Sequence, residues 1–248
     1  MTEAAGSQLV AVCFGAADPA GLARFWAQAL RWEVAEATSD GVPLTPTDGT
    51  GFTLLFRPLS GDQTSRKRLH LDLTTSSLGD QRGSAEQLVG LGGRHIDIGQ
   101  TPEEGHLVLA DPEGNELCLI GPDNRFLADC PRLGAVCCDG TRAVGVFWSE
   151  ALGWPLVWDQ DEETAVRAPD GTGPMITWGG PPLVPKHGRN RLHLDLAPRP
   201  ASDPSSEVER LVSLGATRVE ERESRSSPGG GRVLLADPDG NELTVRSR

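Results

Sequence analysis

The hexapeptide RLHLDL occurs twice, at 68–73 and 191–196, and each time sets an imidazole two residues before a carboxylate. In a strand such neighbours point to one face, so His70 with Asp72 and His193 with Asp195 are two candidate catalytic pairs. A carboxylate beside an imidazole favours its protonated form, which suits proton transfer or the anchoring of an oxygen-bearing ligand. The same alternation sends Arg68 and Arg191 with them and turns Leu69, Leu71 and Leu73 the other way. The competing assignment for each His is a polar side chain satisfied within the sheet.

The pairs recur because the chain repeats. FWAQALRW at 25–32 returns as FWSEALGW at 147–154, LVGLGG at 88–93 as LVSLGA at 211–216, and ADPEGNEL at 110–117 as ADPDGNEL at 236–243. Blocks kept in order at a nearly constant offset mark a tandem duplication. The copies are expected at 1–121 and 133–248, joined by a polar, turn-rich linker at 122–132. Each copy reads as strand, helix, strands, then the same again. Asp18-Pro19 is a helix start, and Leu22, Phe25, Trp26, Ala29 and Leu30 follow at helical spacing, as do Val144, Phe147, Trp148, Ala151 and Leu152. Trp26 and Trp148 are therefore core residues. Strands are expected over Leu9–Phe14, Phe52–Phe56, Met175–Trp178, Arg68–Leu73, and the hairpin arms His106–Ala110 and Glu116–Ile120. The second helix of copy 1 is expected over about Ser84–Leu91, and its counterpart from Asp203-Pro204 to Gly215.

Composition narrows the function. With 35 acidic against 23 basic residues the net charge is −12, which disfavours nucleic acid; Arg66-Lys67-Arg68 is the only basic run. No apolar stretch reaches the roughly 20 residues that span a bilayer, and the N-terminus lacks signal-peptide character. Five Cys without CxxC spacing suit a reducing cytosol, so a cytoplasmic location is expected. The DPEGN and DPDGN segments are turns rather than calcium loops, and Gly229-Gly230-Gly231 lacks the helix that a phosphate loop needs.

FWAQALRW, RLHLDL and the closing DPEGNELCL and DPDGNELTV together resemble the glyoxalase/bleomycin-resistance/extradiol-dioxygenase (vicinal oxygen chelate) superfamily, in its glyoxalase-like branch, over nearly the whole chain. The resemblance implies an α+β fold of tandem glyoxalase-like domains, each of two βαβββ modules. The modules form a cupped mixed sheet, with helices on the convex side and ligand on the concave side. It also implies metal ligands in the metal-dependent members: a His or Gln in a module's first strand, and a Glu seven residues after the Asp of the DPDGN turn. His70 and His193 fit the first position, but Cys118 and Thr244 occupy the second. Glu116 and Glu242 fall two residues earlier, on the same face but about 6–7 Å along the strand. Ala11, Ala135, Phe56 and Trp178, at the other module's positions, are not ligands.

A cleft lined by His70, Asp72, Arg68, Glu116 and Cys118, or by His193, Asp195, Arg191, Glu242 and Thr244, with Phe56 or Trp178 as apolar wall, describes a small-molecule pocket. His106 and Arg232, opposite one another in the two copies, are candidate rim cations. The expectation is a metal-independent small-molecule binder, including sequestration of the bleomycin-resistance kind, with no cofactor. One alternative is a lyase, isomerase or dioxygenase that uses His70 and His193 as acid/base or as ligands to a divalent metal. Another is a ligand-free scaffold. Nucleic acid and membrane are not expected partners. The chain is expected as a monomer with an internal pseudo-dimer or as a homodimer; whether each cleft forms within a copy or between copies stays open.

Overall fold

The computed structural model describes residues 6–59, 68–198, 202–219 and 231–246. Arg66, Lys67 and most of the Gly-rich insertion near 226–232 lie outside them. Four βαβββ modules follow one another. The first holds β1 (Gln8–Ala16), α1 (Pro19–Leu30), β2 (Glu33–Val34), β3 (Val42–Thr45) and β4 (Thr53–Pro58). The second holds β5 (Leu69–Thr74), α2 (Leu78–Gly90), β6 (Arg94–His95), β7 (Leu107–Ala110) and β8 (Glu116–Ile120). The third holds β9 (Leu133–Cys138), α3 (Arg142–Leu152), β10 (Leu156–Gln160), β11 (Glu163–Val166) and β12 (Met175–Trp178). The fourth holds β13 (Leu192–Ala197), α4 (Pro204–Ser213), β14 (Thr217–Arg218), β15 (Arg232–Ala236) and β16 (Glu242–Arg246).

Local signals account for the helices. The Asp18 carboxylate accepts from the Gly21 N–H at 3.0 Å, and α1 buries the expected stripe before the left-handed Arg31 ends it. α3 buries the matching stripe and ends on Gly153, also left-handed. α2 begins six residues before its expected start. Ser77 caps it by accepting from the Asp80 N–H at 3.0 Å, a signal masked in sequence by Gly79, Gly83 and the exposed Leu78. The α3 stripe carries one glycine for a spatial reason: a Cβ on Gly145 would lie 1.9 Å from Thr164 Oγ1, on buried β11. Gly145→Ala should therefore lose about 1–3 kcal/mol through overpacking, read from the urea midpoint; an unchanged midpoint would refute this tight contact.

The sheets join modules across the copies. In each module the first and last strands run parallel, as in β1/β4 and β9/β12, and the remaining pairs are antiparallel. Modules meet through their first strands, β1 against β13 and β5 against β9, both antiparallel. Sheet I has the order β14-β15-β16-β13-β1-β4-β3-β2, and sheet II the order β10-β11-β12-β9-β5-β8-β7-β6. Each sheet thus takes one module from copy 1 and one from copy 2, which settles the open question in favour of shared faces.

One apolar core unites the helix-facing sides of both sheets, with Phe14, Trp26, Phe56, Leu71, Trp148 and Trp178 among its members. Burial of each such side chain stabilises by about 1.5–3 kcal/mol. Polar ties cross between the sheets. Trp26 Nε1 of α1 donates to Asp111 Oδ2 in the β7–β8 turn at 3.0 Å, and Trp148 Nε1 of α3 donates to Asp237 Oδ2 in the β15–β16 turn at 3.1 Å. These links hold each copy's own modules together, while strand pairing holds one copy to the other.

Candidate functional site

Because Leu69, Leu71 and Leu73 enter the core, His70 and Asp72 emerge on the helix-free face of sheet II. His70 Nε2 lies 3.4 Å from Asp72 Oδ1, with 31% of the His and 17% of the Asp side chain open. The separation is long for a hydrogen bond and marks an ion pair. Cys137 stands opposite His70 on β9, and Cys118 beside Asp72 on β8. Burial works against charge on His70, yet the adjacent Asp72 carboxylate, with Glu116 behind it, raises the imidazole pKa above its ordinary value. Burial and the Asp72 charge push both thiols upward, so they stay protonated. Around this polar centre lie Val108, Ile120, Ala135, Ala165 and Met175, joined by Leu127 and Cys130 of the linker.

Sheet I carries the same His-x-Asp in a different setting. His193 is 7% exposed, and its Nε2 has no hydrogen-bond partner among the described residues. Burial, helped by the guanidinium charges of Arg57, Arg189 and Arg232, pulls its pKa down to about 4 against the pull of Asp195. Asp195 is fully buried and already engaged: Thr244 Oγ1 donates to Oδ1, and Arg246 Nε to Oδ2 at 2.5 Å. Glu242 is held by Lys186 Nζ at 2.7 Å and the Asn190 N–H at 2.6 Å. Arg232 pairs with Asp40 at 2.5 Å.

Four expected lining residues belong elsewhere. Phe56 and Trp178 face the helices, where Phe56 lies 4.9 Å from Phe14 and Trp178 stacks on Trp148 at 6.3 Å. Their strands turn Leu55 and Arg57, or Met175 and Thr177, to the open face instead. Arg68 and Arg191 stand one residue before β5 and β13, and each reaches the hairpin turn of the opposite sheet. Arg68 donates to Asn241 Oδ1 at 2.7 Å and to the Asp239 carbonyl at 3.2 Å; Arg191 donates to Glu113 Oε2 at 2.7 Å. Sequence reasoning passed over Cys13, Arg57, Cys137 and Arg246. Period two from Asp195 and Thr244 was the available signal for Arg246. A cavity of about 270 Å³ lies at the seam of the two sheets, lined by Leu69, Arg94, Ile96, Glu116 and Leu192 among others. Glu116 reaches this cavity, whereas His70, Asp72 and Cys118 do not line it.

The two faces differ toward a divalent metal. Among the described residues only His70, Asp72 and Cys118 bring three donor atoms within 4.8 Å of one another. That set suits a thiophilic ion such as zinc, provided the ion displaces the thiol proton. On sheet I, Arg246 and Thr244 occupy Asp195, and the surrounding guanidinium groups repel a cation; the residues there do not fit a metal.

The Glyoxalase-like domain family matches residues 11–120 and again 135–246. No curated protein matches the chain in sequence. Among solved structures, glyoxalase I from Zea mays is similar at 13% identity over 98% of this chain and 92% of that one, with a TM-score of 0.62. A putative dioxygenase from Bacillus subtilis is similar at 12% identity over 99% and 86%, with a TM-score of 0.58. Likeness at such identities reports the shared fold. No helix among the described residues is long and apolar enough to cross a membrane. The chain belongs to the glyoxalase-like domain family of the vicinal oxygen chelate superfamily, as a tandem of two copies.

Proposed function

We propose that the protein binds small molecules on the open faces of its two sheets without a divalent metal, in the sequestering manner of the bleomycin-resistance type. One observation carries this reading. Where the metal-dependent pattern has a Glu, Cys118 and Thr244 stand, and Thr244 spends its hydroxyl on Asp195. The half-open His70–Asp72 pair amid apolar side chains offers a charged anchor on a surface that desolvates the rest of a ligand. The fold's other superfamily chemistries are not carried over, since a fold alone does not choose a reaction.

A second reading rests on the His70, Asp72 and Cys118 cluster. These three would hold a thiophilic ion, which would supply Lewis-acid polarisation of a bound carbonyl. His70 would then be a ligand rather than a proton carrier.

Metal analysis of protein purified without chelator, paired with a thermal-shift screen of a metabolite library, separates the readings. We expect metal near zero per chain. A ligand at about 100 times its Kd should stabilise by about 2.7 kcal/mol, and His70→Ala should abolish the shift for ligands of sheet II. One zinc per chain, lost in Cys118→Ser, would establish the second reading. Failure of the whole library to raise Tm would defeat the first.

A further inference from the structure

The open face of sheet I carries a cluster that sheet II lacks. Arg232 and Arg246 stand directly opposite each other on β15 and β16, and the alternation that sends Val233 and Val245 to the core turns both toward the open face. Arg57 reaches the same face from β4, where Leu54 and Phe56 turn inward. At the corresponding positions of sheet II the repeat has Ile120 for Arg246, His106 for Arg232 and Gly179 for Arg57. Shared ancestry does not account for the cluster, since the other copy of each module does without it.

Among the described residues, Arg232 pairs with Asp40 and Arg246 with Asp195. Arg246 spends only its Nε on Asp195 and leaves 31% of its side chain open. Among the described residues its two terminal nitrogens have no hydrogen-bond partner. The second observation is His193, more than nine-tenths buried beside this cluster, with Nε2 lacking a partner. A buried polar atom without a partner is costly and is accounted for by a ligand that supplies one. Beneath these groups Ala11, Cys13 and Leu55 are packed together and buried, and the Cys13 thiol donates to Asp195 Oδ2 at 3.7 Å.

We infer that the open face of sheet I is a receptor for a small carboxylate, which sits among Arg57, Arg232 and Arg246 within reach of His193. Guanidinium forks match a carboxylate in geometry. The inference rests on the reading that the open faces bind small molecules, and it gives the two faces different ligands.

The test follows the ring resonances of His193 and His70 during titration of the full chain with benzoate, benzamide and inorganic phosphate. Benzoate should shift His193 saturably, at least tenfold more tightly than benzamide, and leave His70 unmoved. Arg246→Gln should weaken benzoate binding about tenfold or more. Because that change strands Asp195, Arg57→Gln serves as a second variant with the same expected loss. Equal affinity for benzoate and benzamide would overturn the inference while leaving small-molecule binding intact. Benzoate binding that Arg57→Gln does not weaken would do the same. Tighter binding of phosphate than of benzoate would overturn the carboxylate assignment. If no probe moves His193, the inference falls, and the library screen judges the broader reading on its own.

Discussion

Asp237→Ala should cost the fold about 3–5 kcal/mol, since it leaves several buried donors unsatisfied at about 1–3 kcal/mol each. The Asp237 carboxylate accepts from the Trp148 indole, from the Asn241 amide, and from the backbone N–H groups of Asp239 and Asn241. Its side chain lies in a residue only 2% exposed, so water cannot replace it as acceptor. Burial raises its pKa, with the hydrogen bonds from Asn241 and Trp148 opposing. Alanine would strand four donors at the point where α3, on sheet II, meets the turn of sheet I. Asp111→Ala should do the same at the equivalent tie, where Trp26, Asn115 and Glu113 donate. Trp148→Phe, which removes one donor and keeps most of the ring's packing, should cost less. Guanidinium chloride titration measures all three. A loss under about 1 kcal/mol in Asp237→Ala would mean that the indole link is incidental.

The two site histidines should titrate on opposite sides of the ordinary imidazole pKa of about 6.5, and stability should follow them in opposite senses. His193, lowered to about 4 in the fold, is neutral there while the unfolded chain protonates near 6.5. Its contribution is therefore complete above pH 6.5 and is lost as pH falls through 6.5 toward 4. The full difference, 2.5 pKa units at about 1.4 kcal/mol each, is on the order of 3 kcal/mol. His70 has its pKa raised, so its contribution is complete below 6.5 and is lost as pH climbs through the folded value. The charges acting on His193 are Asp195 on its own strand and Arg57, Arg189 and Arg232 from neighbouring segments. Ring NMR titration gives both midpoints, and stability curves of wild type and His193→Gln between pH 7 and 4 isolate the His193 share. Identical curves, or two midpoints near 6.5, would refute the contrast.

The repeat, the module order and the apolar helix stripes were legible because each is a local pattern written twice. Strand alternation also placed His70 with Asp72, and His193 with Asp195, each pair on one face of its sheet, as the structure has them. Long side chains escaped the same rule. Arg68 and Arg191 sit just outside their strands and reach across to another sheet's turn, a contact set by tertiary packing. Phe56 and Trp178 were assigned to the wrong face, since an apolar residue in a buried strand suits either side. The Ser77 cap was hidden by glycines that lower helix propensity. The pairing partner of each module was not legible at all. β1 finds β13 and β5 finds β9, and the motifs shared by the two copies make the two possible pairings equivalent by pattern.

That exchange of modules has a genetic consequence. A substitution in either copy falls on one face only, but each face is jointly authored by both copies: His70 and Cys118 come from one and Cys137 from the other, while His193 and Arg246 come from one and Arg57 from the other. Two identical chains assembled in this way would be bound to make twin sites. Fusion into one chain lifts that bond, so each site can change its ligand without dragging the other along. It also makes the halves inseparable, since neither copy alone contains a whole face.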